Sequence, residues 1–232
     1  MLISHRYKFI FIKTKKTAGT SLEIALSRYL GARDVITHIS PEDEQLRQQS
    51  GGLGPQNFYL PLSTLQPAHW AQWLRTRQRP YFYNHMPADE IVRHVSASVW
   101  QHYFKFCFER NPWDKVISWY YWEHKQEPRP PLDAFIQAGR ASDLAAGGGS
   151  SLYTINGKLA VDKVYRYEDL PAALQDLKDR LGLPEVPDLP HAKGQYRQDK
   201  RPYQTRYSPV NRQMIAGLFA DEISRLGYRF EE

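Results

Sequence analysis

The sequence predicts an α/β fold: three layers, with a central, mostly parallel sheet and helices on both faces, in a single domain spanning residues 1–232. Three observations predict it. Short apolar runs bounded by charge alternate with stretches of helical period. A tight turn rich in Lys, Thr and Gly joins the first run to the first helix. The clearest second run, Tyr103 to Glu109, leads straight into a helix opened by Asn111-Pro112-Trp113-Asp114.

Each element has its own signal. Tyr7 to Ile12 is apolar and short, which predicts a buried strand. Thr20 to Leu30 carries Leu22, Ala25, Leu26 and Tyr29 at helical spacing, and Gly31 ends it. From Ala32 to Arg79 the pattern weakens. Gly51 to Pro55 reads as a loop, and Pro67 to Gln78 as a helix opened by proline, in an insert expected to lie outside the sheet and to shape an acceptor cleft. Tyr81 to Tyr83 is expected to be a short strand and Pro87 to Val95 a helix with proline in its first turn. Asn111 can cap the next helix, Pro112 suits its first position, and Asp114 complements its dipole; that helix is expected to reach Lys125. Pro128 to Pro131 breaks the chain, and Gly147 to Ser151 reads as flexible, either a mobile lid or a plain surface loop, with the plain loop favoured. Lys163 to Tyr167 is a further strand, followed by a helix from Leu170 to Leu181 that Gly182 ends. Pro184 to Pro209 is irregular, and Val210 to Leu226 is the final helix.

Composition narrows the partners. The net charge of +6 suits an anionic nucleotide, an anionic polymer or nucleic acid, without choosing among them. Cys107 is the single cysteine, so no internal disulfide can form; it sits in an apolar run and reads as a small buried hydrophobe. No run approaches the ~20 apolar residues needed to span a bilayer, so a soluble cytoplasmic protein is expected. No metal-ligand cluster is evident.

The chemistry gathers in two motifs. The first turn runs Lys13-Thr14-Lys15-Lys16-Thr17-Ala18-Gly19-Thr20-Ser21. Free N–H groups at a helix start hold a phosphate or sulfate, Gly19 lets the backbone curl, and the hydroxyls of Thr17, Thr20 and Ser21 add donors. The turn lacks the Gly-Lys-Ser/Thr of a Walker A loop, because Lys16 precedes Gly19, and this disfavours a nucleoside triphosphatase. The second motif runs Glu109-Arg110-Asn111-Pro112-Trp113-Asp114-Lys115-Val116-Ile117-Ser118. A guanidinium grips phosphate in a planar, bidentate way, and a serine hydroxyl adds one donor.

With those residues in hand, the chain resembles the sulfotransferases that use 3′-phosphoadenylyl sulfate (PAPS), closest to the branch with heparan 2-O-sulfotransferase and related bacterial proteins. The resemblance implies the P-loop-like sulfotransferase fold. It also implies a 5′-phosphosulfate loop from Lys16 through Thr17, Ala18, Gly19 and Thr20 to Ser21, in which Lys16 contacts the leaving group. The family has proline where this chain has Lys15. Arg110 and Ser118 correspond to the 3′-phosphate ligands. His85, in the turn Tyr83-Asn84-His85-Met86-Pro87, corresponds to the general base, with Asp89 and Glu90 on the next helix as alternatives for orienting or replacing it. Tyr167-Glu168-Asp169-Leu170 is similar to a later family turn, and a plain helix cap explains it equally well. In the basic stretch Gln195 to Tyr207, Lys193 just before it and Arg197, Arg201 or Tyr203 within it are candidates to reach the nucleotide; an RNA-binding patch and a solvated loop stay open. The implied reaction moves the sulfuryl group of PAPS to an acceptor hydroxyl, with a carbohydrate favoured, and releases adenosine 3′,5′-bisphosphate. No nucleic-acid partner is expected. The rivals are a nucleic-acid or polyanion binding module and a small-molecule kinase.

Overall fold

A computed structural model describes residues 1–190, 199 and 201–231. Its centre is a mixed five-stranded sheet built from β1 (Leu2–Ser4), β2 (Phe9–Phe11), β3 (Val35–Ile36), β4 (Phe104–Glu109) and a later strand, β7 (Lys163–Arg166). The order across the sheet is β3-β1-β2-β4-β7. A separate hairpin joins β5 (Thr154–Ile155) to β6 (Lys158–Leu159).

The helices are α1 (Gly19–Ser27), α2 (Pro41–Gln49), α3 (Pro67–Thr76), α4 (Ala88–His94), α5 (Ala97–His102) and α6 (Pro112–Glu123). They continue with α7 (Leu132–Gln137), α8 (Arg140–Gly148), α9 (Leu170–Leu181), α10 (Pro209–Leu218) and α11 (Ala220–Leu226).

Alternation along the strands sends side chains to two separate cores. Phe9, Phe11, Phe106, Phe108 and Tyr165 pack with Leu22 and Leu26 of α1 and Leu174 and Leu177 of α9. Ile10, Ile12 and Cys107 pack the opposite way, with Met86, Ile91 and Tyr153. Apolar packing therefore covers both faces. Each fully buried side chain of this size contributes about 1.5–3 kcal/mol. A third cluster gathers Trp113, Ile117 and Tyr120 of α6 with Phe135, Leu144, Ile215 and Phe219. Cys107 is buried, and burial pushes its thiol well above the usual range.

The expectation of a mostly parallel sheet needs correction. The pairs β2–β4 and β4–β7 are parallel, whereas β1–β2 and β1–β3 are antiparallel. The turn between β1 and β2 is too short for a parallel crossover, so the chain forms a hairpin. The predicted strand from Tyr7 starts only at Phe9, because Tyr7 and Lys8 lie in that turn and Lys8 has φ 52°. Tyr81 to Tyr83 is not a strand; Tyr81 makes an isolated bridge to Tyr59. Gly147 to Ser151 is not an open loop, since Gly147 and Gly148 end α8. The expected single C-terminal helix divides into α10 and α11 at Phe219, whose φ and ψ are −114° and 28°. The expected strand over Tyr103–Glu109 and the helices after Asn111 and Asp169 match to within two residues.

Candidate functional site

The site is built where β2 and β4, parallel neighbours, both end and turn into helices. Open α/β sheets bind ligands at such ends. After β2 the chain turns through Lys13 to Ala18 and enters α1 at Gly19. Lys16 and Ala18 adopt left-handed backbone, with φ 63° and 58°. Gly19 is required by packing: a Cβ there would lie 2.7 Å from Lys13 Cγ and 3.3 Å from the Thr14 carbonyl. No side chain caps the start of α1.

The turn's residues divide into inner and outer sets. Lys13 is buried and donates to Glu23 Oε2 at 2.7 Å. The Thr14 and Thr17 hydroxyls lie 2.8 Å apart, and Thr14 also donates to the Phe108 carbonyl. Thr17 thus spends its hydroxyl inside the turn, and Thr20 is buried. Lys15 and Lys16 are the outer set. Lys15 Nζ stands 5.7 Å from the Trp119 ring centre, and Lys16 Nζ stands 5.3 Å from that of Trp122. The two indoles stack on each other at 4.8 Å. Burial and the nearby Lys115 charge lower the pKa of Lys15.

The second turn meets the first. Arg110 Nη1 donates to the Lys16 carbonyl at 3.4 Å. Arg110 also donates from Nε to Asp114 Oδ2 at 2.8 Å and from Nη2 to the same oxygen. Its guanidinium lies 4.4 Å over the Tyr167 ring. These three bonds leave two of the five guanidinium N–H groups for a ligand. Asp114, Ser118 and Trp122 follow at four-residue spacing on α6, so they share one face. Ser118 is half-buried on it. Arg110 contacts the first turn near one end of this face, and Trp122 carries Lys16 at the other.

His85 joins from a third element. Its backbone is left-handed, with φ 62°. The ring Nδ1 lies 2.8 Å from the Lys13 carbonyl. A carbonyl only accepts, so Nδ1 carries the proton and Nε2 is left as the acceptor. Burial first, then the Lys13 charge, lowers the His85 pKa from 6.5 to about 3. The imidazole is therefore neutral at pH 7, well below the near-neutral value expected from its residue type. Asp89 and Glu90 are engaged elsewhere. Asp89 pairs with Arg93 at 3.2 Å, and Glu90 accepts from the Tyr83 hydroxyl at 2.5 Å.

The later turn supports Arg110. Besides the Tyr167 ring, Glu168 Oε1 accepts from the Asn111 N–H at 2.7 Å. Tyr203, by contrast, belongs to the third core cluster and donates its hydroxyl to the Phe230 carbonyl at 2.9 Å. Arg201 is exposed and bonded to Asp199, with Nη2 2.7 Å from Oδ2. Lys193 and Arg197 lie outside the described residues. Among the described residues no group of three or more His, Cys, Asp or Glu could hold a metal ion, and no helix is long and apolar enough to cross a membrane.

The sequence gives Trp119 and Trp122 no role in the site, and it leaves the Tyr167 turn, which carries the Arg110 guanidinium, equally explained as a plain helix cap. The available signal was the placement of both tryptophans within five residues of Ser118, one turn apart on a predicted helix.

No family model matches the chain, and no solved structure matches it. It is 31% identical over 106 residues to an uncharacterized protein of Archaeoglobus fulgidus, an alignment spanning 45% of this chain and 88% of the archaeal one. By that identity and coverage, the chain belongs to the family of this archaeal protein.

Proposed function

We propose that the chain is a PAPS-dependent sulfotransferase with the P-loop-like fold of that class, acting in the cytoplasm on a carbohydrate hydroxyl. The observation that carries the reading is the 3.4 Å contact between Arg110 and the Lys16 carbonyl. It joins two anion-binding motifs, far apart in sequence, at the ends of adjacent parallel strands.

The donor set suits a nucleotide with two anionic ends. Lys15, Lys16 and the N–H groups opening α1 face one end. Arg110 and Ser118 serve the 3′-phosphate, with Asp114 and Tyr167 fixing the guanidinium plane. PAPS supplies a sulfuryl group on a phosphate leaving group. Lys16 stabilises charge that grows on the leaving oxygen, and stabilisation specific to that stage accelerates the reaction. His85 Nε2 takes the acceptor's proton. Burial first, and then the charges of Lys13 and Lys15, depress His85; anionic charge beside the first turn offsets the lysine part and raises its basicity when the donor is bound. The stacked indoles of Trp119 and Trp122 offer a flat apolar face beside Lys16 for a sugar ring.

The test is calorimetric titration with adenosine 3′,5′-bisphosphate and with ADP, on the native chain and on Arg110→Ala. Binding that prefers the 3′-phosphate, and loses about 1.5–3 kcal/mol of that preference without Arg110, is the expected result. Equal or absent binding of the two nucleotides sinks the reading. Transfer from ATP that requires Mg²⁺ would replace it with a kinase.

A further inference from the structure

We infer that the exposed face of α3 is a docking face for an anionic lipid bilayer, a peripheral contact that does not span it. No residue of α3 is buried. Leu74 is 69% exposed, Leu62 50% and Trp70 41%. Trp70, Trp73, Leu74 and Arg77 recur at three- and four-residue spacing, so they share one face of the helix and its cap. The Trp70 and Trp73 rings stack at 5.4 Å. Tyr59 and Tyr81, bridged to each other, are also exposed. The helix is attached through another side, where the His69 ring meets His94 at 5.2 Å.

Charge selects the occupant. Between Glu44 and Asp89 the chain has no acidic residue, while it carries Arg47, Arg75, Arg77 and Arg79. Arg47 is buried on Glu44, and Arg79 donates to the Leu60 carbonyl. Arg75 and Arg77 are exposed at the end of α3. The first acids beyond the segment are engaged, Asp89 with Arg93 and Glu90 with Tyr83. A second copy of this face would bring arginines against arginines. Nucleic acids stack on aromatic rings and gain little from protruding leucines. Leu74 suits acyl chains, Trp70 and Trp73 suit the headgroup level, and Arg77 suits anionic lipid.

The full chain is sedimented with phosphatidylcholine vesicles, with and without phosphatidylglycerol. Binding should need the anionic lipid. Trp70→Ser combined with Leu74→Ser should weaken it by about tenfold or more. Arg77→Gln, on the docking face, should weaken it by about fivefold, and Arg75→Gln, on the opposite side of the helix, by less. These positions are exposed, and circular dichroism should be unchanged. Three outcomes overturn the inference: no binding to anionic vesicles, binding untouched by the Trp70 and Leu74 changes, or self-association of the native chain that those changes abolish.

Discussion

Two strand-to-helix turns meet at the candidate site, and each stands on a buried lysine–glutamate pair. Beneath the first, Lys13 Nζ lies 2.7 Å from Glu23. Beneath the second, Lys115 Nζ lies 2.8 Å from Glu109. The pairs look alike, yet their protons behave oppositely. Burial pushes both carboxyls up. For Glu23, the charges of Lys13 and of the Met1 ammonium at 2.7 Å outweigh it and hold the group at about 2. For Glu109, burial, with Glu222 adding a like charge, outweighs Lys115 and the Arg110 N–H at 3.2 Å and lifts the group to about 7. A salt bridge in a core does not by itself settle where the proton sits; the balance of nearby charges does. The first turn rests on a fixed charge, the second on a titratable one.

The largest effect that tests this contrast is on stability. Lys13→Met strips buried Glu23 of its closest side-chain cation and leaves it on the Met1 amine, itself lowered to about 6, and should cost about 3–5 kcal/mol by urea denaturation at pH 7. Lys115→Met should cost less, about 1–3 kcal/mol, because Glu109 can take up a proton instead. Equal losses would break the comparison. Next in size, Lys16→Ala should lower turnover by about 10²–10³-fold, while affinity for adenosine 3′,5′-bisphosphate falls by less than about tenfold. Turnover close to native would remove Lys16 from the chemistry.

The pH dependence sharpens the contrast further. Glu109 has a folded value of about 7 against 4.5 for the free group. Unfolded chains release this proton near 4.5 and folded ones near 7, so its contribution to stability falls as pH rises between those values. Glu23, at about 2 against 4.5, contributes fully above 4.5 and loses its contribution as pH falls towards 2. The stability difference between native chain and Glu109→Gln should therefore vary across pH 4.5–7 and not below it; a flat difference would refute the assignment. The smallest effect is expected at an exposed pair. Asp89→Asn, which removes the partner of Arg93, should cost less than about 0.5 kcal/mol and leave turnover unchanged.

What could be read from the residues alone follows from how each element is stabilised. β4, α6 and α9 announce themselves because a continuous apolar run or a marked cap drives each one: Phe106 to Phe108, Asn111-Pro112, Gly182. β1 and β3 are three and two residues long, too short to show a period, and exist through pairing with neighbours. The β5–β6 hairpin did carry a signal, Asn156-Gly157, whose φ values of 51° and 73° suit a tight two-residue turn. At the site, the loop, Arg110 and His85 were legible as residue types in pattern. Their partners were not. Asp114 reads as a helix-dipole residue but also grips Arg110, and no local rule places the Lys13 carbonyl against His85.

The three glycines Gly147 to Gly149 have a consequence for anyone altering this chain. Their composition invites use as a linker, a place to insert a tag or a cleavage site. Their surroundings forbid it. A Cβ on Gly148 would stand 2.7 Å from the Lys15 stem, and one on Gly149 would collide with the Glu222 carboxylate. Glu222 in turn accepts from the Ser150 N–H at 2.6 Å and lends its charge to Glu109. An insertion here would push on Lys15 in one turn and on the acid before Arg110 in the other. The stretch that looks most permissive is a shared hinge pin, and fusions belong elsewhere.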